Sequence, residues 1–289
     1  MFEGAYTAIV TPFGKDGSVD YGKLRHLIAL QIAAGIDGIV PVGTTGESPT
    51  LDVGEHERVI EAAVEACRGK IKVIAGTGAN STAEALELTR HALKAGADGT
   101  LQVTPYYNKP NQEGLYRHFS AVADLGLPVV LYNVPGRSSR EIEVGTIARL
   151  AKHPKIVAVK EAGGSVDRVS QILCACSITV VSGDDPLTLP MMSVGGRGVI
   201  SVASNIVPKP VADLVHAALA GRWDEARALH MKYYRLFTTM FIDTNPVPLK
   251  AAMAMVGLIE EVYRLPLCET SEANRRKIAD CLKEVGLIK

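Results

Sequence analysis

Short apolar runs and amphipathic stretches alternate eight times between residue 5 and about residue 220, and this regularity constrains the fold more than any other feature of the chain. The apolar runs are residues 5–10, 38–42, 72–75, 99–103, 129–132, 156–160, 178–181 and 198–202. They have strand length and are rich in β-branched residues. Residues 21–34, 55–66, 82–95, 112–123, 142–151, 167–173, 186–194 and 211–220 carry apolar side chains at helical spacing. Gly35, Gly96 and Gly221 stand where helices should end. Ser81-Thr82-Ala83-Glu84 has capping-box spacing, and Pro105, Pro135 and Gly183 fall where strands should turn.

Strands that alternate with helices are parallel and joined by right-handed crossovers. Eight units in a chain of 289 residues predict an α/β TIM (β/α)₈ barrel. The rival, an open doubly wound sheet, wants G-x-G-x-x-G after its first strand, and Thr11-Pro12-Phe13-Gly14 stands there instead. Residues 1–221 are read as the barrel. Helical stretches at 223–241, 248–256 and 271–285 make residues 222–289 a C-terminal three-helix extension packed on it.

Lys+Arg and Asp+Glu both number 31, which argues against a nucleic-acid or anionic-membrane partner. No apolar stretch is long enough to span a membrane. The opening Met1-Phe2-Glu3-Gly4 lacks the features of a secretion signal, so a cytoplasmic protein is expected. The five cysteines are scattered, with no CxxC pair, and read as reduced and mostly buried. No metal motif is present.

In such a barrel, chemistry collects at the carboxyl ends of the strands. Strand six ends in Ile156-Val157-Ala158-Val159-Lys160-Glu161. An apolar strand should not carry an ammonium inward unless the position uses it, and a buried lysine, once neutral, can attack a carbonyl. Taken alone, the segment favours a lysine that turns out to solvent. Its neighbours reverse that. Tyr132 closes the adjacent strand, and a phenol beside an amine can shuttle the protons that imine formation needs. Arg137 follows in the next loop, with a fork of donors suited to a carboxylate. Gly43-Thr44-Thr45-Gly46-Glu47-Ser48 offers backbone N–H groups and two hydroxyls at one point, either a cradle for an anion or an ordinary turn with a threonine cap. Of Tyr106 and Tyr107, only one should face the mouth. Asp184-Asp185 is read as an acidic helix start.

These segments, together with Gly76-Thr77-Gly78, Gly198-Val199-Ile200-Ser201 and Asn245-Pro246-Val247-Pro248-Leu249-Lys250, resemble the dihydrodipicolinate synthase / N-acetylneuraminate lyase family of class I aldolase-type enzymes, over nearly the whole chain. The resemblance implies a Schiff-base-forming lyase without metal or organic cofactor. Lys160 would hold pyruvate as an imine, and the enamine would attack L-aspartate 4-semialdehyde in diaminopimelate and lysine biosynthesis. It further implies a proton relay of Thr44, Tyr107 and Tyr132, with Tyr107 entering the neighbouring subunit of a homotetramer built as a dimer of dimers. Thr45 would hold the pyruvate carboxylate, Arg137 the semialdehyde carboxylate, and Gly183 and Ile200 would line the pocket. Ser48, Pro49, His56, Asn80, Glu84 and Tyr106 match an allosteric L-lysine site, although Val53 replaces a histidine common in lysine-inhibited relatives. Two alternatives stay open: a sugar-acid aldolase such as N-acetylneuraminate lyase or a 2-keto-3-deoxy-sugar-acid aldolase, and a non-catalytic oxo-acid-binding protein. Arg137 and the tyrosine pair favour a short acidic aldehyde over a polyol.

Overall fold

The computed structural model describes residues 2–289. Eight parallel strands close into a barrel in chain order: β1 (Gly4–Ala8), β2 (Gly38–Val40), β3 (Lys72–Gly76), β4 (Gly99–Val103), β5 (Val129–Asn133), β6 (Ile156–Glu161), β7 (Thr179–Ser182) and β8 (Gly198–Ser201), with β8 pairing back onto β1. The helices between them are α1 (Tyr21–Ala33), α2 (Val53–Cys67), α3 (Thr82–Ala95), α4 (Gln112–Ala123), the single turn α5 (Pro135–Ser138), α6 (Val144–Leu150), α7 (Val166–Ala175), α8 (Thr188–Ser193) and α9 (Pro208–Leu219). The expected barrel is present, with strand ends shifted by one or two residues.

Strand alternation divides the core in two. Tyr6, Val40, Ile74, Leu101, Val130, Tyr132, Ala158, Val181 and Ile200 fill the barrel interior. Their neighbours Ile39, Val73, Leu131, Val159 and Val180 pack under the helices. Both faces of a parallel sheet are covered, which is why these strands read as continuous apolar runs rather than alternating ones. A register shift at Val129/Val130 brings the ends of β5 and β6 into step, so that Tyr132 pairs with Lys160 and Asn133 with Glu161.

Helix ends follow local chemistry. The Asp52 side chain accepts the Glu55 N–H while Glu55 reaches back to the Asp52 backbone, a complete capping box on α2. Ser81 accepts from the Glu84 N–H at the start of α3. Gly35, Gly96 and Gly221 adopt the left-handed backbone expected of helix-ending glycines. Helix α9 begins at Pro208, three residues earlier than its apolar pattern suggests, because proline suits the first turn of a helix.

The extension comprises α10 (Trp223–Thr239), α11 (Val247–Met255) and α12 (Glu272–Glu284). Leu236, Phe237, Leu249, Met253, Ile278 and Leu282 join the same apolar cluster as Ile28, Ile60 and Val215 of the barrel helices. Arg264, beyond α11, ties this region to the second βα unit: its guanidinium pairs with both oxygens of Glu55, at 2.5 and 2.7 Å, and donates to the Gly17 and Thr50 carbonyls. Among the described residues, no helix is long and apolar enough to cross a membrane.

The cysteine expectation needs correction. Only Cys67 and Cys281 are buried; Cys174 and Cys268 are exposed and Cys176 is intermediate. Cys174 lies in the last turn of α7 and Cys176 follows as its C-terminal cap, at a corner open to the surface.

Candidate active site

Lys160 and Tyr132 meet at the carboxyl end of the barrel. Lys160 is 5% exposed and Tyr132 6%, so the strand does carry its lysine inward. The Lys160 Nζ lies 4.3 Å from the centre of the Tyr132 ring. Gly183 closes the other side: a Cβ there would lie 2.9 Å from the Lys160 Cε and 2.6 Å from the Ala162 Cβ. Only glycine leaves the lysine room. Thr44, Thr45, Arg137, Gly183, Asp184 and Asn245 surround the lysine and tyrosine in a cavity of about 140 Å³. The chain thus gathers an inward amine, a phenol, two hydroxyls and a guanidinium from β6, β5, the Thr44-Thr45 loop and α5.

The pair is braced from behind. Because side chains alternate along a strand, the residues after Tyr132 and Lys160 point outward. The Asn133 amide donates to both oxygens of Glu161, at 2.8 and 3.0 Å. The Gly163 N–H and the Arg168 Nε donate to the same carboxylate, each at 2.8 Å. Arg168 also bonds Glu141 and the Ile142 carbonyl. Burial pushes the Glu161 carboxyl up to about 7, against the Asn133 and Gly163 donors, which favour its ionised form. A buried charge with this many partners fixes the ends of β5 and β6 relative to one another.

The Thr44-Thr45 loop is built on unusual backbone. Val42 has φ +50°, uncommon for a β-branched residue, and Glu47 has φ +54°. Gly76 permits this: a Cβ there would come 2.5 Å from the Val42 carbonyl oxygen. Thr45 is buried and accepts the Asn245 Nδ2 at 3.0 Å. Arg137 lies on the single turn α5, whose start at Pro135 sets its direction, and its Nη2 donates to the Asn245 carbonyl at 3.0 Å. Asn245 therefore links the threonine loop to the arginine, and the Asn245 Oδ1 is buried with no protein partner. Sequence reasoning noted the Asn245-Pro246 segment but gave it no role; a side chain 200 residues from its partner leaves no local signal.

Not every expected residue joins the cavity. Ile200 packs in the barrel-interior cluster beside Tyr132 and Val181. Tyr107 is 90% exposed with φ +69°, on the outside of its own chain. Tyr106, 37% exposed, lines a second cavity of about 310 Å³ that also borders Thr44, Tyr132 and Arg137.

Ser48 and Pro49 line that second cavity as well. His56 is buried, its Nε2 donates to the Gly76 carbonyl at 3.0 Å, and loss of solvent pushes its pKa down to about 4, so it is neutral near pH 7. The Asn80 carbonyl accepts from Asn108 at 2.8 Å. Glu84, in the first turn of α3, helps to raise the Tyr106 phenol, after burial itself. Val53 is exposed at the start of α2.

Asp185 opens a short helical turn, Asp185–Leu187, as the sequence suggested, but its side chain bonds elsewhere. It accepts the Val202 and Ala203 N–H groups, at 3.0 and 2.9 Å, and the Ser201 hydroxyl, capping the turn that follows β8. Among the described residues, no group of histidine, cysteine and acidic side chains is arranged to hold a metal ion.

The family described as the dihydrodipicolinate synthetase family matches this chain over residues 1–285. The 4-hydroxy-tetrahydrodipicolinate synthase of Geotalea uraniireducens is 55% identical, with the whole of both chains covered. The chloride-inhibited dihydrodipicolinate synthase from Acinetobacter baumannii, complexed with pyruvate, superposes with a TM-score of 0.98 at 44% identity, covering all of both chains. The synthase from Cyanidioschyzon merolae with lysine bound superposes with a TM-score of 0.96 at 41% identity, covering 99% of each.

Proposed function

The chain belongs to the dihydrodipicolinate synthetase family and is a lyase with 4-hydroxy-tetrahydrodipicolinate synthase activity, in diaminopimelate and lysine biosynthesis; from that premise we propose how its own residues carry the reaction. The observation that carries the reading is the inward Lys160 against the Tyr132 ring, beside a glycine that leaves it space.

Lys160, as the neutral amine, attacks the keto carbon of pyruvate. Loss of water gives the imine, and loss of a methyl proton gives the enamine. The enamine carbon then bonds to the aldehyde of L-aspartate 4-semialdehyde. Attack of that substrate's amine on the imine carbon closes the ring and releases Lys160. Each step moves a proton, and the Tyr132 ring stands against the amine, with Thr44 on the same cavity. Thr45, pinned by Asn245, receives the pyruvate carboxylate. Arg137 faces the same cavity and receives the semialdehyde carboxylate by a charge-assisted fork. Gly183 borders the pyruvate pocket, whereas Ile200 packs in the barrel interior.

Tyr107 completes the relay from a neighbouring subunit. Its 90% exposure, on a left-handed backbone, suits a side chain presented to another copy. We take the assembly to be a homotetramer, a dimer of dimers, in the cytoplasm, working without metal or organic cofactor. L-Lysine is the proposed inhibitor, at Ser48, Pro49, His56, Asn80, Glu84 and Tyr106. Glu84 would receive its ammonium, and Val53 would weaken the site.

The test has two arms. Borohydride reduction with pyruvate should add mass to the peptide holding Lys160. A coupled assay should show condensation of pyruvate with aspartate semialdehyde and no cleavage of sialic or keto-deoxy sugar acids. Turnover on sugar acids alone would overturn the substrate assignment, and an unmodified Lys160 would overturn the mechanism.

A further inference from the structure

Helix α11 grips the Thr44-Thr45 loop at two points. Asn245, ahead of the helix, donates to Thr45 at 3.0 Å. Lys250, within it, reaches the Glu47 Oε1 at 2.5 Å, and both of those side chains are fully buried. The Lys250 ammonium also lies 4.3 Å from the centre of the Phe13 ring and 5.4 Å from that of Tyr263. The other Glu47 oxygen accepts the Arg264 N–H at 3.4 Å.

A buried ion pair is weak evidence for stability, because two apolar side chains of similar size often hold a core as well. Its location gives it another role. Glu47 stands two residues after Thr45, in a left-handed conformation that a non-glycine residue keeps only when its surroundings enforce it. Ser48 and Pro49 follow it directly on the wall of the larger cavity. The lead-in to α11 also carries the Asn245 carbonyl that holds Arg137. One helix therefore sets both the loop that receives the pyruvate carboxylate and the arginine opposite it.

We propose that Glu47 and Lys250 are positioning residues: their ion pair fixes the 43–47 loop against α11 and so sets the distance between Thr45 and Arg137. The inference rests on the reading of Lys160 as the pyruvate-binding amine. It also gives a role to the lysine that ends the Asn245–Lys250 segment, which takes no part in the chemistry above.

The test is the double variant Glu47→Leu, Lys250→Met in the full-length chain. Circular dichroism and thermal melting read folding, borohydride trapping at saturating pyruvate counts competent sites, and steady-state kinetics are expressed per competent site. We expect a folded protein whose pyruvate KM rises at least tenfold while kcat per trapped site falls by less than threefold. A pair that serves only to fill the core would change the melting temperature and the number of competent sites, and leave KM alone. A native pyruvate KM in the folded double variant overturns the proposal. Should that variant fail to fold, Glu47→Gln, which keeps shape and an acceptor for Lys250, carries the same test: a threefold or greater rise in KM is expected, and an unchanged KM overturns the inference. If the native chain is itself not trapped by pyruvate and borohydride, the reading of Lys160 fails instead, so the two failures are distinguishable.

Discussion

Tyr132 and Lys160 are directly paired residues on adjacent parallel strands, and the lysine Nζ sits 4.3 Å from the centre of the tyrosine ring. The next pair in the same register, Asn133 and Glu161, points the opposite way and is hydrogen-bonded. One stretch of sheet thus presents reactive groups on its inner face and the groups that hold them on its outer face. The two-residue period of a strand is enough to produce this separation.

Lys160→Ala should lose activity by at least about a thousandfold, as removal of a covalent nucleophile does. Its stability should change little, because its loss removes a buried amine. Thermal melting beside the condensation assay checks both. A variant whose lost activity is explained by unfolding would make the lysine structural.

Gly183→Ala tests the shape of the site rather than its chemistry. The added methyl would meet the Lys160 Cε at 2.9 Å and the Ala162 Cβ at 2.6 Å. The flexible lysine chain can yield more readily than the Ala162 backbone, so Lys160 should be displaced. Borohydride trapping of pyruvate should fall by about tenfold or more, with overpacking costing about 1–3 kcal/mol of stability. Native trapping in this variant would show that the lysine has more freedom than the packing allows.

The barrel was legible because each βα unit announces itself locally, through an apolar run, a turn and an amphipathic helix. Lys160, Tyr132 and Arg137 were legible for the same reason: each closes a strand or opens the loop after it, and the barrel brings those ends together, whereas Thr44, Thr45 and Gly183 stood in turns whose place at the site came from the family resemblance. What stayed hidden depends on distant chain. Asn245 meets Thr45 across 200 residues and Lys250 meets Glu47 across 203, and no periodicity encodes either contact. Asp185 does open a helical turn beside Pro186, but its side chain serves the turn after the next strand, a contact no local pattern encodes.

Tyr107→Phe should lower turnover by about a hundredfold, the scale of one lost proton-transfer group, with the proposed homotetramer intact. The phenol is exposed on its own chain and outside the Lys160 cavity, so its hydroxyl has no structural work there. Sedimentation velocity and kcat measured together check this. Unchanged turnover would remove Tyr107 from the relay.

Acid should weaken the fold through His56 and His118. Burial pushes both imidazoles down to about 4, whereas in the unfolded chain they titrate near pH 6.5. Between those values the unfolded chain binds more protons than the folded one, so stability rises with pH across this window. The full contribution is present above pH 6.5, is lost progressively as the pH falls towards 4, and does not change further below that. At pH 5 each histidine should cost on the order of 2 kcal/mol relative to pH 7. His56→Gln keeps a donor for the Gly76 carbonyl but cannot take up a proton, and His118→Asn likewise removes a titrating ring next to Phe119. Urea midpoints at pH 7 and pH 5 should therefore differ less in either variant than in the native chain, whatever each substitution costs at pH 7. A pH difference that neither substitution reduces would mean that other groups cause the acid sensitivity.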